Sequence, residues 1–565
     1  MSEKRIDSGR TIGQQQKESL TEDALSGVIQ KEACEQDDFK KESAPLYEAL
    51  LKYRAQKRTS FHVPGHKNGQ AYVSQGGAEM LSEMMEIDVT EITGTDDLHH
   101  PEGVILQAQK LAADCFGAEE SFFLIGGSTV GNLALILTVC SSPGDILLVQ
   151  RNVHKSVLHG LMLAGAQAVF LQPQMDPFSG LSTAPTAARI DAALKVYPNA
   201  KGVLVTMPNY YGMGTDITPL ADACHRYGVP LLVDEAHGAH YGLHPALPAS
   251  ALACGADGVV QSTHKMLSAL TMSAMLHVQG SRVDRALLRQ RLAMVQSSSP
   301  SYPMMASLDL ARRQLHTGGA AIFTAGLAAV NAFKRGLAEL PRFGLLQLSQ
   351  QPKATTAGFA SAGNTAQPSV AMAAAYTTQD PFKAVIYDGT GDLSGYELQR
   401  QLEAHGCIPE MSDEQYVVLL FSLGSTMEDT NHLLHALQHI SIADEDKDTH
   451  LNSRDISAMQ KDVEFSTWNI TQEAVSTPVS FSLKPVLAEH VESIPLVQCA
   501  GRVAAEMIIP YPPGIPLLYM GESISEDTKE RLLALSKAGA KCHAAADPEL
   551  QRIMVFKKDR KQGDL

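Results

Sequence analysis

Between residues 120 and 280 the chain repeats one pattern: a short, unbroken apolar run, then a stretch long enough for a helix. The runs are SFFLIG (121–126), DILLVQ (145–150), AQAVFLQ (166–172), GVLVTMP (202–208), PLLVDEA (230–236), GVVQST (258–263) and AMLHVQ (274–279). A strand with one wet face alternates apolar and polar side chains; these runs do not, so both of their faces must be covered. With helical segments such as LADACHRYG (220–228) between them, they predict a seven-stranded, mainly parallel sheet in a large α/β domain over 120–315.

The pattern changes on either side. Residues 1–43 are polar and charged and predict a flexible extension, because such a segment buries too little to order itself. Helical and loop structure is expected over 44–119, starting at APLYEALLKYRAQ, where Leu46, Tyr47, Leu50 and Leu51 form an apolar stripe. A smaller α/β domain is expected at 316–440, from the helical AAIFTAGLAAVNAFKRGLAEL and the later KAVIYDGTG, SGYELQRQLEAHG and YVVLLFSLG. A polar linker at 441–485 then leads to a C-terminal domain at 486–565.

Charge and composition narrow the function. A formal charge of −16 argues against a nucleic-acid partner, which needs clustered Lys and Arg. The eight cysteines are scattered without a CxxC pair, so neither a zinc site nor a disulfide framework is indicated. The first residues lack the apolar core of a signal peptide, and no apolar run reaches membrane-spanning length. A cytoplasmic protein with no membrane partner is expected.

Ligands of an open parallel sheet bind at the carboxyl ends of its strands, and polar clusters gather there. GGST (126–129) precedes a helix-like segment, so free N–H groups and glycine flexibility make a phosphate cradle around Ser128 and Thr129. RNVHKS (151–156) offers the flat ring of His154. VDEAHGAH (233–240) puts Asp234 at a dry strand end, with Glu235, His237 and His240 nearby; the spacing is not the i, i+4 pattern of helical metal ligands, and no metal site is expected. STHK (262–265) ends the next run with Lys265. A phosphate cradle, a flat ring, a buried acid and a lysine together meet the needs of pyridoxal 5'-phosphate: a helix start for its phosphate, an acid for its pyridine nitrogen, and an amine for its aldehyde.

The chain at this point resembles the fold-type-I, aspartate aminotransferase-like Orn/Lys/Arg decarboxylases, in particular the small bacterial arginine decarboxylase type without a receiver-like wing. The resemblance runs from about 45 to 440 and resumes near 490–525. It rests on FHVPGHKNG (61–69), GTDDLHHPEG (94–103), FLIGGSTVGN (123–132), RNVHKS, VDEAHGAH, STHKMLSALT and YPPGIPLLYMGE. It implies that Lys265 holds pyridoxal 5'-phosphate covalently, that Asp234 pairs with the pyridinium nitrogen and that His154 stacks on the ring. Ser128, Thr129, Ser262 and His264 would hold the phosphate, and His237 would lie near the 3-oxygen. The implied reaction is decarboxylation of a basic amino acid, arginine before lysine and ornithine, to a di- or polyamine precursor, in a homodimer or larger homo-oligomer.

Three carboxylates are candidates for the distal cation of such a substrate: Asp96, Asp97 and Glu410, in part across a subunit boundary. The loop carrying His62, His66 and Lys67 would shape that boundary. Two other readings stand beside this one: a different fold-type-I reaction, transamination or aldol cleavage, for which Arg400 and Arg502 are available but sit in no motif of an α-carboxylate arginine, and a non-catalytic protein that binds the same cofactor.

Overall fold

The computed structural model of the chain describes residues 40–72, 79–348, 374–445, 475–511 and 513–557. Most of the predicted extension (1–43) and much of the predicted linker (441–485) lie outside these residues.

All seven apolar runs form strands: β1 (Glu120–Leu124), β2 (Ile146–Gln150), β3 (Gln167–Leu171), β4 (Val203–Thr206), β5 (Leu231–Asp234), β6 (Gly258–Gln261) and β7 (Ala274–Val278). They lie in the order β1-β7-β6-β5-β4-β2-β3. Strands β6, β5, β4, β2 and β3 pair in parallel, whereas β7 runs antiparallel to both of its neighbours. The sheet has eight strands rather than the expected seven, because Val479–Ser480 adds an antiparallel edge beside β3. Two residues, neither of them buried, carry too little apolar pattern to announce a strand.

Successive residues of each central strand enter different cores. Leu148, Val203, Val205, Leu231, Val233 and Val259 belong to one, and Leu147, Val149, Leu204, Leu232 and Val260 to the other. This two-sided burial explains the missing alternation: each such Val or Leu contributes about 1.5–3 kcal/mol on whichever face it lies. Helix α1 (Gly127–Val139) follows β1 and helix α2 (Lys155–Ala164) follows β2. Helix α1 lies so close to the sheet that a Cβ on Gly131 would stand 2.8 Å from both Leu124 and Val260 side chains. Closeness of this kind places the start of α1 directly at the strand ends.

A second, four-stranded antiparallel sheet is built from β8 (Phe343–Leu345), β9 (Lys383–Asp388), β10 (Met411–Ser412) and β11 (Val417–Leu420), in the order β10-β11-β9-β8. Further along, Val491–Pro495 pairs with Arg552–Phe556. The intervening 511–522 segment reaches back to the large sheet. There the buried Arg151 guanidinium, just past β2, grips both Glu522 carboxylate oxygens at 2.7 and 2.9 Å and donates to the carbonyls of Pro516 and Leu517. Its plane also lies over the Tyr519 ring. A paired, stacked and nearly dry arginine of this kind is a strong fastening.

Candidate active site

The carboxyl ends of β2, β4, β5 and β6 open into a cavity of about 510 Å3. Its wall includes Ser128, His154, Asp234, His237, His264, Lys265 and Glu410 from the residues singled out in the sequence. It also includes Tyr210 and Lys383, which sequence reasoning passed over, and Tyr511, the first residue of YPPGIPLLYMGE.

Asp234 is the last residue of β5 and is buried. Burial pushes its carboxyl up, while a hydrogen bond from Asn132 and the nearby Lys265 charge pull it back down. The Asn132 amide donates to Oδ2 at 2.8 Å and the Ala236 N–H to Oδ1 at 3.2 Å. Asn132 also donates to Ser156 Oγ at 3.0 Å, and that hydroxyl meets His154 Nδ1 at 2.9 Å. A polar chain thus links the acid to the ring that caps the start of α2. Burial holds His154 neutral, lowered to about 4, with the positive charge of Lys265 acting the same way. On its other side, Gly514 adopts φ +85°, and a Cβ there would stand 3.0 Å from His154 Nε2. Only glycine lets the 511–522 segment come this close.

Lys265 lies in the helical turn Thr263–Met266 after β6. Its Nζ is 2.9 Å from His237 Nε2, and Lys383 Nζ is 3.1 Å from the Nδ1 of the same ring. Burial lowers the Lys265 ammonium, against the raising influence of Asp234 and Glu410. Lys383, at the start of β9, is 2 % exposed and is lowered to about 8 by burial. The Tyr210 ring packs on His237 at 4.2 Å between centroids, and its hydroxyl donates to Glu410 Oε1 at 2.5 Å.

The start of α1 has the features of an anion site. Gly127 takes φ +75°, and no side chain caps the first turn, which leaves N–H groups free beside Ser128 and Thr129. Ser262 Oγ and Thr206 Oγ1 are buried hydroxyls without a hydrogen-bond partner among the described residues. Buried hydroxyls are rarely left so, and a phosphate-bearing ring would use such groups. His264 Nδ1 meets the Ser273 carbonyl at 3.0 Å, which fixes its ring on the cavity wall. The amine of Lys265, the acid of Asp234 and these unspent donors fit pyridoxal 5'-phosphate.

Other candidates stand elsewhere. Asp96 accepts hydrogen bonds from the N–H groups of Glu102, Gly103 and Ile105 at the start of the helix Val104–Phe116, and Asp97 accepts from His99 N. Neither lines this chain's cavity. Glu235 and His240 face away from it, and among the described residues no cluster suits a metal ion. His62, His66 and Lys67 hold their own loop through Tyr53, Asp88 and the His62 carbonyl. Arg400 and Arg502 are engaged with Glu397 and Glu492, outside the cavity.

Asn132 and Tyr210 did leave traces in the sequence. Asn132 is the one polar residue within the apolar VGNLALIL, and Tyr210 follows β4 just as His154 follows β2. Lys383 opens a strand of the second sheet, where nothing in its neighbours' pattern marks it.

Comparison with known proteins agrees with this geometry. Residues 44–429 match the model of the Orn/Lys/Arg decarboxylase major domain, and residues 461–542 that of the C-terminal domain of the same family. An uncharacterized protein of Bacillus subtilis (strain 168), YaaO, is 39% identical over 92% of this chain and 100% of its own length. An arginine decarboxylase of Bacillus anthracis is 32% identical over 91% and 97%. The structure of lysine decarboxylase A from Pseudomonas aeruginosa superposes with a TM-score of 0.70 at 23% identity, covering 91% of this chain and 80% of the other.

Fold and cavity together define a fold-type-I enzyme dependent on pyridoxal 5'-phosphate, an amino-acid decarboxylase. Within that class, the chain belongs to the Orn/Lys/Arg decarboxylase family.

Proposed function

We propose that this enzyme removes the α-carboxylate of a basic amino acid as CO2, with arginine as the favoured substrate ahead of lysine and ornithine, and releases the corresponding amine as a polyamine precursor. The observation that carries the reading is the convergence of Lys265, Asp234, His154 and Ser128 on one cavity at the strand ends. The order of substrates follows the arginine decarboxylases that are about a third identical over nearly the whole chain.

Bound pyridoxal 5'-phosphate supplies an electron-poor ring that accepts the electron pair left by CO2. The chain's residues set the conditions for that. Lys265 provides the amine that holds the cofactor, and burial favours its uncharged form. Asp234, whose charge the Asn132 amide favours against burial, would pair with the pyridine nitrogen and favour its protonated form. His154 would stack on the ring and His237 would stand near its 3-oxygen. Ser128, Thr129, Ser262 and His264 would hold the phosphate. The proton that replaces CO2 on the substrate carbon is carried by groups at the cavity wall, Lys265 and His237. Glu410, oriented by the Tyr210 hydroxyl, meets the substrate's distal cation. Asp96 and Asp97 can join it only from a second copy.

That second copy is part of the proposal. Phe61 (92 % exposed) and Met80 (88 % exposed) carry large apolar surface on two adjoining segments, as an unpaired interface does. The seven described cysteines are free, which suits a reducing cytoplasm. No helix among the described residues is long and apolar enough to cross a membrane.

The decisive experiment incubates the purified protein, loaded with pyridoxal phosphate, separately with arginine, lysine and ornithine and identifies the amine and CO2 formed. Lys265→Ala should abolish both turnover and the absorbance of the lysine-bound cofactor. A variant that still decarboxylates at the wild-type rate would overturn the assignment. Glu410→Gln should raise KM about tenfold with little change in kcat.

A further inference from the structure

The second sheet borders a cavity of its own, about 120 Å3 in volume, which shares no lining residue with the catalytic one. Its wall is largely aromatic: Phe178, Tyr376, Tyr387 and Tyr416, together with the side chains of Gln347 and Gln415. Two of the rings are fixed from outside the cavity. Tyr387, on β9, lies across its pairing partner Gly344 on β8, where a Cβ would collide with the ring. The Tyr416 hydroxyl donates to the Ser179 carbonyl at 3.2 Å, which ties the turn carrying Phe178 to the sheet. The Tyr387 and Tyr416 rings meet at 87° with centroids 5.8 Å apart, so they form a corner. Tyr376 is 4 % exposed, yet its hydroxyl has no hydrogen-bond partner among the described residues, and neither has that of Tyr387. Polar groups so deep are rarely left unused.

The electrostatics of this wall favour one sign. No Lys, Arg or His lines it. Two carboxylates stand behind the rings. Asp176 accepts from the Ala375 N–H, beside Tyr376, at 3.1 Å, and from Ser179. Asp413 accepts from the N–H groups of Gln415 and Tyr416 at 2.8 and 2.7 Å, and from the Tyr211 hydroxyl. Neither lines the cavity, so each biases its field without being a ligand in it. An anion would meet two like charges there, and a purely apolar group would leave the phenols and amides unpaired. A strongly hydrated metal cation would find no carboxylate to replace its water. A weakly hydrated organic cation suits every feature: its charge is attracted by aromatic rings, and its N–H groups can donate to the phenol oxygens and amide carbonyls.

We propose that this cavity is a second binding site, for the head group of an organic cation of the guanidinium class. The inference is independent of the Lys265 assignment and of the order of substrates.

The test uses the full-length protein loaded with pyridoxal phosphate and labelled with fluorotyrosine, its fluorine resonances assigned through single Tyr→Phe variants. Methylguanidinium is the probe, and methylurea is its uncharged isostere. Methylguanidinium should shift the Tyr376, Tyr387 and Tyr416 resonances saturably, and methylurea should bind at least about tenfold more weakly, the scale of a desolvated cation–aromatic contact. Tyr210 reports separately on the catalytic cavity. Phe178→Leu and Tyr387→Leu lie outside the catalytic wall; they should keep the wild-type cofactor absorbance and weaken methylguanidinium about tenfold. Shifts confined to Tyr210, equal affinity for methylurea, or variants that keep that absorbance and bind as wild type does would each overturn the proposal. If a variant loses the cofactor band, the two probes compared on wild type decide alone.

Discussion

Asp234 and Glu235 are consecutive carboxylates, both buried, yet they serve opposite sides of the same strand end. Asp234 opens on the cavity, where one amide, one backbone N–H and the Lys265 field stabilise its charge. Glu235 is closed in on the other side. It accepts from Ala251 N at 2.8 Å and from the Gln261 amide at 2.7 Å; Gln261 meets His277, and His277 meets Ser121. With no cation beside it, burial pushes the Glu235 carboxyl up to about 8. The histidines of the same stretch divide likewise: His237 stands at the cavity wall, and His240 is sealed against Asp380. Residue type does not separate these pairs. For the carboxylates the step off the strand end does, turning Asp234 to the cavity and Glu235 into the protein; for the histidines it is the turns that follow the strand.

The contrast can be broken by substitution. Asp234→Asn should lower kcat on the order of 10^3-fold, the scale of losing a preorganised charge at the reacting group, whereas Glu235→Gln should leave kcat within about threefold; equal losses would erase the distinction. For stability the two change places. The folded protein holds the Glu235 proton more tightly than the unfolded chain, so its contribution is full below the ordinary value of 4.5 and is lost as pH rises through about 8. Glu235→Gln should therefore flatten the fall in unfolding free energy between pH 5 and 8 by on the order of a few kcal/mol, measured by denaturant titration at several pH values. Asn132→Ala removes one hydrogen bond to a charged acceptor, about 1.5–3 kcal/mol, and should reduce kcat about ten- to a hundredfold. Because that amide also lowers the Asp234 carboxyl, its loss should steepen the fall of stability with rising pH.

The large sheet was legible because continuous apolar runs carry their own signal, and each of the seven became a strand. The edge strand at Val479–Ser480 was not, since a two-residue pairing leaves no periodicity to read. At the site, Lys265, Asp234 and His154 could be found because each follows a strand directly, where the topology collects ligand groups. Lys383 could not. It reaches the cavity from a separate sheet, and its placement depends on how β9 docks beside His237, a relation between distant segments that no local pattern encodes. Asp96 shows the converse: a carboxylate that looked like a cation site accepts from N–H groups at the start of a helix.

The clasp between Arg151 and Glu522 joins positions 371 residues apart in the chain, and Tyr511, Pro513 and Ile515 beside it form one wall of the cavity. Every residue up to Glu522 must therefore be in place before this wall can exist. The chamber is in this way a long-range product of the chain, and a polypeptide cut between the two clasped positions would present an open trough in its stead.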